Sequence, residues 1–100
     1  MVRYDPGHFA PKHQDSGKGE FLYRKVTSLL FLSDYESHGL VGGGTSLIKY
    51  FSVIPKRGRV VVFRSKEYHC GVPVFEGQKY AFVFFMGNED REIDIEASYA

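Results

Sequence analysis

The chain has 100 residues, a length that suits one domain with a single hydrophobic core. Its 13 basic and 12 acidic residues leave a net charge of +1 and are scattered along the sequence, so there is no electrostatic case for binding nucleic acid or an anionic membrane surface. The single cysteine excludes an internal disulfide, and no apolar run approaches the ~18 residues of a membrane span.

Strand-forming residues dominate the chain, with nine Phe, seven Tyr and short runs of β-branched residues between turn signals. No window shows a helical period with caps, so many short strands predict an all-β sandwich or barrel. In chain order, we predict a short extended segment at 2–4, strands at 24–32, 45–51, 59–63, 79–86 and 92–96, turns at 5–7, 55–58 and 77, and loops at 16–19 and 33–44. Residues 9–15 lead into the first pair of candidate ligands, and a short segment lies at 68–72.

Three residues have the chemistry of a metal site. His13 and Asp15 are two positions apart in an extended segment, so their side chains point the same way. His69 can complete a set of two imidazoles and one carboxylate, which is the facial triad of non-haem Fe(II) oxygenases and leaves three coordination positions open. Lys79 follows ten residues later, where it can hold an anionic co-substrate beside the metal.

Each of these residues also has a plainer interpretation when it is taken alone. A single histidine such as His69 is usually an ordinary polar residue, and Lys79 fits a surface lysine whose ammonium reaches water from a strand end. The order of the residues along the chain favours the metal site. The His-x-Asp pair follows a turn, His69 follows the long apolar run, and Lys79 opens the next strand.

Several short motifs surround these residues. They are Tyr4-Asp5-Pro6-Gly7, His13-Gln14-Asp15, the run from Arg24 to Ser33, Gly42-Gly43-Gly44-Thr45, Pro55-Lys56-Arg57-Gly58, and then Phe63, His69, Pro73-Val74, Gly77 and Lys79. In this combination the sequence, from Arg3 to about Phe85, resembles the prolyl-4-hydroxylase-like 2-oxoglutarate and Fe(II)-dependent dioxygenases.

The resemblance implies a fold and a domain organisation. The fold is a double-stranded β-helix, a cupin-like jelly roll of two facing sheets, here without the helices that precede it in relatives. Residues 1–100 are expected to form the core of one dioxygenase domain and to be a fragment of a longer protein. Without its N-terminal covering, a jelly roll leaves an apolar sheet edge exposed, so a partner or an upstream segment is expected to cover it.

The resemblance also implies the roles of the site residues. His13, Asp15 and His69 are the expected iron ligands and catalytic residues, and Lys79 is expected to pair with the distal carboxylate of 2-oxoglutarate. Tyr4 and Thr27 fall where the family places further contacts to that co-substrate.

Two positions depart from the family pattern. Phe31 stands where many relatives have a tyrosine near the co-substrate, and Val83 replaces a hydroxyl-bearing residue. We therefore expect a more apolar pocket in which Lys79 carries more of the anchoring. Arg24, at the start of a strand, is interpreted as a solvated charge.

The implied activity is hydroxylation of an unactivated C–H bond, as in procollagen-proline 4-dioxygenases, with decarboxylation of 2-oxoglutarate to succinate and CO2. The cofactors are Fe(II), 2-oxoglutarate and O2, with ascorbate as a reductant. The expected partner is a protein or peptide substrate carrying a residue such as proline, and no nucleic acid. The loops at 16–23 and 33–41 are expected to select it.

Two alternatives remain open. One is a non-catalytic jelly-roll module that has kept the metal site, and the other is a cupin-like metalloenzyme that uses a different divalent ion for isomerisation or ring cleavage. The spacing of Lys79 disfavours the second. The compartment is open between endoplasmic reticulum and cytoplasm, because these 100 residues contain no targeting segment.

Overall fold

The computed structural model describes residues 1–16, 24–87 and 94–96, which form eleven strands and one short helix. The elements are β1 (Val2–Tyr4), β2 (Ala10–His13), β3 (Arg24–Phe31), α1 (Tyr35–His38), β4 (Val41–Gly42), β5 (Thr45–Leu47), β6 (Phe51–Val53), β7 (Val60–Arg64), β8 (His69–Gly71), β9 (Val74–Glu76), β10 (Lys79–Gly87) and β11 (Asp94–Glu96).

The strands form two antiparallel sheets that face each other. The larger sheet has the order β1-β10-β3-β7, with β11 also paired to β10, and the smaller has the order β2-β8-β5-β6. Strands β4 and β9 form a separate two-stranded ribbon. The sheets meet where the ring of Phe63 in β7 lies 4.6 Å from the ring of His69 in β8. The prediction of an all-β chain is confirmed.

The interior between the sheets is lined by alternate residues of the long strands. Along β10, Lys79, Ala81, Val83 and Phe85 are buried while the residues between them are partly exposed. This is the period of two that a strand imposes. Each fully buried Val, Leu or Phe contributes roughly 1.5–3 kcal/mol to folding, so this row holds the two sheets together. A charged lysine at the head of an otherwise apolar row needs a separate explanation.

The predicted loop at 33–44 is wrong in part, because it contains α1 and β4. Asp34 caps the helix by accepting a hydrogen bond from the backbone N–H of Ser37 at 2.7 Å, and the same carboxylate accepts from the N–H of Arg57. Gly39 ends the helix with a φ of 65°. The backbone hydrogen bonds to Asp34 hold its carboxyl pKa below the usual value. A four-residue helix is too short to show the periodicity that reveals helices in a sequence.

The predicted single strand at 45–51 is also wrong, because it is a hairpin of β5 and β6. The backbone N–H of Tyr50 donates to the carbonyl of Leu47 at 2.8 Å and closes the turn. The turn contains and adjoins apolar or aromatic residues, so its sequence resembles that of a continuous strand. These residues are Leu47, Ile48, Tyr50 and Phe51.

Arg24 is buried rather than solvated, with 6% of its surface exposed. Its guanidinium lies 3.9 Å from the centre of the Phe85 ring, so a planar cation stacks on an aromatic face. Two other predictions lie outside the described residues, namely most of the loop at 16–19 and the first two residues of the strand at 92–96. No helix in the described part of the chain is long and apolar enough to cross a membrane.

The outer face of the larger sheet is rich in apolar side chains. Val60 and Val62 are 56% and 60% exposed, and Met86 is 38% exposed. Phe82 and Phe84 lie on the same face of β10 with their ring centres 6.0 Å apart. An apolar sheet face of this kind usually packs against another element.

Candidate metal centre

Strand pairing brings the predicted metal ligands together. His13 at the end of β2 lies opposite His69 at the start of β8, and their ring centres are 4.2 Å apart. Immediately after β2, the backbone N–H of Asp15 donates to the carbonyl of Ser65 at 2.9 Å, which turns the Asp15 carboxylate toward the two rings. Ligand atoms of the three residues all lie within 4.8 Å of one another. They form the one such cluster found among the described residues.

Hydrogen bonds to backbone carbonyls determine the tautomer of both histidines. The Nδ1 of His13 lies 2.6 Å from the carbonyl of Pro11, and the Nδ1 of His69 lies 3.0 Å from the carbonyl of Glu67. A carbonyl can only accept, so Nδ1–H donates in each case. In a neutral imidazole the lone pair is then on Nε2, the nitrogen that faces Asp15. Such a second hydrogen bond is the usual way in which proteins orient a metal-binding histidine.

The Nε2 atoms of the two histidines and the carboxylate oxygens of Asp15 face one another across a small space. The Nε2 of His13 is 3.3 Å from Oδ1 of Asp15, and the Nε2 of His69 is 3.3 Å from Oδ2. The His69 contact is not aligned as a hydrogen bond. Two nitrogen lone pairs directed at a buried carboxylate require either protons or a metal ion. A divalent ion satisfies all three ligands at once.

Asp15 is ionised at every physiological pH. Burial alone raises the pKa of its carboxyl, but the polar contacts with His13 and His69 and a hydrogen bond from Thr27 outweigh burial and hold the pKa at about 2. The centre therefore always presents one negative charge, which is the charge that a facial triad offers to a divalent metal.

Two buried hydroxyls orient the Asp15 carboxylate. Thr27 donates to Oδ2 at 2.9 Å, because an ionised carboxylate can only accept. The hydroxyl of Thr27 has one proton, so the 2.9 Å contact between Thr27 and Ser65 must have Ser65 as donor. Thr27 and Ser65 are fully buried. A directed chain from Ser65 through Thr27 thus fixes Oδ2 and leaves Oδ1 for a metal.

Lys79 is a buried cation in an apolar setting. It is 1% exposed, and its ammonium has no hydrogen-bond partner among the residues that the structure describes. The ammonium lies 4.9 Å from the centre of the Tyr4 ring and 5.8 Å from that of Phe31. Burial lowers the pKa of Lys79 to about 8. Burying an ammonium without a hydrogen-bond partner is costly, and an anion placed beside it would offset that cost.

Glycines make room for the Lys79 side chain and its surroundings. A Cβ on Gly43 would lie 3.4 Å from Cδ of Lys79, and one on Gly42 would lie 2.2 Å from the carbonyl oxygen of Pro73. Beyond this Gly-rich turn, the hydroxyl of Thr45 is fully buried and has no hydrogen-bond partner within the described ranges. Thr45 therefore offers a second unused polar group in the interior.

The structure brings together the predicted residues in two groups. His13, Asp15 and His69 form the metal cluster, and Tyr4 lies under the ammonium of Lys79. The hydroxyl of Thr27 is engaged with Asp15 and Ser65, and its contact with the co-substrate stays a prediction.

Sequence reasoning missed Ser65 and Thr45. The one signal for Thr45 was its place in the Gly-Gly-Gly-Thr motif, which was interpreted only as a turn before a strand. Ser65 has no local signal, because its role depends on the pairing of β3 with β7.

The fold and the sequence match known proteins. A model of the family described as the 2OG-Fe(II) oxygenase superfamily matches residues 1–87. Similar solved structures include a prolyl-4-hydroxylase from Pseudomonas putida, with a TM-score of 0.72 and 24% identity over 88% of this chain. A structure from a study of prolyl 4-hydroxylases of Phytophthora capsici has a TM-score of 0.69 and 30% identity over 86% of this chain. The viral collagen prolyl hydroxylase of Paramecium bursaria Chlorella virus-1, solved with 2-oxoglutarate, has a TM-score of 0.69 and 23% identity over 88% of this chain.

These similar structures confirm the predicted double-stranded β-helix. This chain spans 50%, 30% and 56% of the lengths of the three proteins, in the same order. Among curated proteins, none is significantly similar to it in sequence.

Proposed function

The chain belongs to the 2OG-Fe(II) oxygenase superfamily, and from that premise we propose that it is an Fe(II)- and 2-oxoglutarate-dependent dioxygenase that hydroxylates an unactivated C–H bond of a peptidyl residue. The observation that carries the proposal is the pairing of two features. The Nε2 atoms of two imidazoles converge on a buried carboxylate, and a buried ammonium without a hydrogen-bond partner in the described chain lies in the same protein interior.

The metal ligands in this proposal are His13, Asp15 and His69. Each histidine binds through Nε2, because Nδ1–H is held by a backbone carbonyl. Three protein ligands on one side leave the other positions for co-substrate and dioxygen. The aromatic ring of Phe63, packed against His69, limits the access of water to that ligand.

The co-substrate site in this proposal is built on Lys79. Its ammonium binds the distal carboxylate of 2-oxoglutarate, whose negative charge balances the buried positive charge of the lysine. The ring of Tyr4 makes a cation–π contact with the ammonium of Lys79. Thr27 remains a candidate for a further contact to 2-oxoglutarate. The hydroxyl of Thr45 is an added candidate, because it is buried and has unused hydrogen-bonding capacity.

Bound together, Fe(II), 2-oxoglutarate and O2 supply an oxidation that converts 2-oxoglutarate to succinate and CO2 and places a hydroxyl group on the substrate carbon. The residues of the chain orient the ligands and exclude water. Phe31, Val83 and Phe85 are fully buried and make the interior apolar, which protects a reactive oxidant from side reactions. Ascorbate is proposed as the external reductant that keeps iron in the ferrous state.

Proline is the first residue to test as substrate. The three similar structures are described as prolyl hydroxylases, and one of them as a collagen prolyl hydroxylase. A peptide substrate also agrees with the net charge of +1, which offers nucleic acid no strong attraction.

The test is a coupled assay with Fe(II), 2-oxoglutarate, ascorbate and proline-containing peptides. We expect succinate release together with a peptide that gains one oxygen atom, and neither product from His69→Ala. Succinate without peptide oxidation would leave the dioxygenase in place and exclude the peptides used as substrates. Folded wild-type protein that binds metal and releases no succinate would show a non-catalytic module instead.

A further inference from the structure

Strand register places three surface segments at the same end of the smaller sheet as the metal ligands. Leu47 and His13 both lie opposite His69, on either side of β8. The segments that leave the sheet beside them are Gln14 after β2, the turn 48–50 after β5, and residues 66–68 before β8. The backbone N–H of Ile48 donates to the carbonyl of Tyr68, and Nε2 of Gln14 donates to the carbonyl of Lys66. These hydrogen bonds join the three segments into one surface.

The three segments, with Lys12 and Arg64, enclose a groove of about 330 Å³. We call it the basic groove. Its lining includes four cations and one carboxylate, a net of three positive charges, although the whole chain carries only +1. The cations are Lys12, Lys49, Arg64 and Lys66, which come from three separate parts of the sequence. Folding therefore concentrates charge that the sequence scatters.

The one carboxylate of the groove is already neutralised. Glu67 forms an ion pair with Arg64 and lies 3.5 Å from the hydroxyl of Tyr50. Lys12, Lys49 and Lys66 are exposed, and no ion pair to any of them is found within the described ranges. Three amines around one small concavity repel one another, and an anionic ligand relieves that repulsion.

We propose that the basic groove binds an acidic segment of the peptide substrate next to the metal centre. This inference rests on the proposed function, and it specifies the substrate class as peptides with Glu or Asp near the residue to be oxidised. Ile48, Tyr50 and Tyr68 are 46%, 58% and 49% exposed and add apolar surface for the aliphatic parts of such a peptide. Exposed tyrosines such as Tyr50 and Tyr68 are typical of protein-binding surfaces.

The geometry of the rings favours an acidic peptide over a nucleic acid. Single-stranded nucleic acids bind by stacking bases on free aromatic faces. In the basic groove the ammonium of Lys12 lies 5.0 Å from the centre of the Tyr68 ring and occupies that face. The hydroxyl of Tyr50 is directed at Glu67, so the polar edge of that ring is already engaged.

The test is fluorescence anisotropy with three labelled peptides of equal length, each with a central proline flanked by Glu, Ser or Lys. We expect wild-type protein to bind the Glu peptide roughly ten-fold more tightly than the Ser peptide, and to lose most of that preference in high salt. Lys12→Glu and Lys49→Glu should each lower affinity for the Glu peptide by roughly ten-fold and raise affinity for the Lys peptide. Lys56→Glu is the matched control. Lys56 is exposed outside the groove and pairs with Glu36, so its reversal should leave peptide binding unchanged.

Anisotropy needs no turnover, so the two proposals fail separately. An inactive protein that still prefers the Glu peptide would contradict the proposed function and support the docking surface. An active protein with equal affinities for the three peptides would overturn the docking surface alone. Tighter binding of a single-stranded oligonucleotide, weakened by the same two variants, would also overturn it and assign the groove to nucleic acid.

Discussion

Lys79 is a buried charge whose removal should have opposite effects on stability and on ligand binding. Methionine has similar length and no charge, so Lys79→Met removes the cost of burying an ammonium. We expect the free energy of unfolding of the ligand-free protein to rise by about 1–3 kcal/mol, as measured by urea denaturation. Affinity for 2-oxoglutarate, measured by calorimetry, should fall at least ~100-fold because the charge-assisted hydrogen bonds are lost. A less stable variant with wild-type affinity would contradict both roles.

The lowered pKa of Lys79 also predicts how stability depends on pH. Burial lowers the pKa to about 8 in the folded protein, against an ordinary value of 10.5. Between these values the unfolded chain holds a proton that the folded protein has lost, so the free energy of unfolding rises with pH across that window. The rise attributable to Lys79 is about 3 kcal/mol and should be absent from Lys79→Met. Affinity for 2-oxoglutarate should fall over the same window, because a neutral amine does not attract a carboxylate.

The hydroxyl of Thr27 should matter for metal affinity as well as for packing. Thr27→Val keeps the shape of the side chain and removes the donor to Asp15, so we expect affinity for Co(II) or Fe(II) to fall roughly 10–100-fold. Thr27→Ser keeps the hydroxyl and should retain most of the affinity. Metal titration against a competing chelator measures both without turnover. Equal affinity in the valine variant would show that Asp15 needs no such support.

The cluster of His13, Asp15 and His69 was predictable from the order of these residues along the chain together with the family resemblance. Neither the His-x-Asp spacing nor His69 alone was sufficient. Ser65 and Thr45 were not predictable in the same way. The role of a hydroxyl depends on the tertiary contacts that bury it. Thr27 was predicted as a contact to the co-substrate, but its hydrogen bond to Asp15 was not predicted.

At the scale of elements, the Gly-rich turn before β5 should be far less tolerant than other turns. Gly42 has a φ of 81°, and a Cβ there would lie 2.2 Å from the carbonyl oxygen of Pro73. Gly42→Ala should therefore cost more than ~3 kcal/mol of unfolding free energy. Gly58 has a similar φ of 86° and open space around it, so Gly58→Ala should cost only about 1 kcal/mol.

Thermal and urea denaturation of the two alanine variants separate steric collision from backbone conformation. Equal losses of stability at positions 42 and 58 would show that conformation alone requires glycine at the turn. A larger loss of stability at position 42 would show that the nearby carbonyl oxygen of Pro73, directly before β9, requires glycine there.

Long strands were predictable as elements, and short ones were less so. β3, β7 and β10 run through the interior, and their alternation and β-branched residues mark them in the sequence. The helix α1 and the β5–β6 turn span three or four residues each, too few to establish a period. Their geometry depends on a few local hydrogen bonds, such as those from Ser37 to Asp34 and from Tyr50 to Leu47.

At the scale of the whole molecule, folding creates two surfaces that cannot be predicted from the amino-acid composition. The basic groove collects cations from distant positions, and the outer face of the larger sheet collects exposed apolar residues such as Val60 and Val62. The expectation that a partner or an upstream segment covers an exposed apolar sheet edge stays a prediction. The double-stranded β-helix itself was predictable only through the family resemblance, because the sheets pair strands that are far apart in the chain, such as β1 with β10 and β2 with β8.

The central claim is that His13, Asp15 and His69 hold Fe(II) and that 2-oxoglutarate binds beside it with its far end on Lys79. The most direct measurement is the visible absorption spectrum of the folded protein with Fe(II) and 2-oxoglutarate under anaerobic conditions. We expect the weak charge-transfer band of an iron-chelated α-keto acid, absent from His13→Ala and requiring much more 2-oxoglutarate in Lys79→Met. Folded wild-type protein without that band, at saturating Fe(II) and 2-oxoglutarate, would contradict the claim.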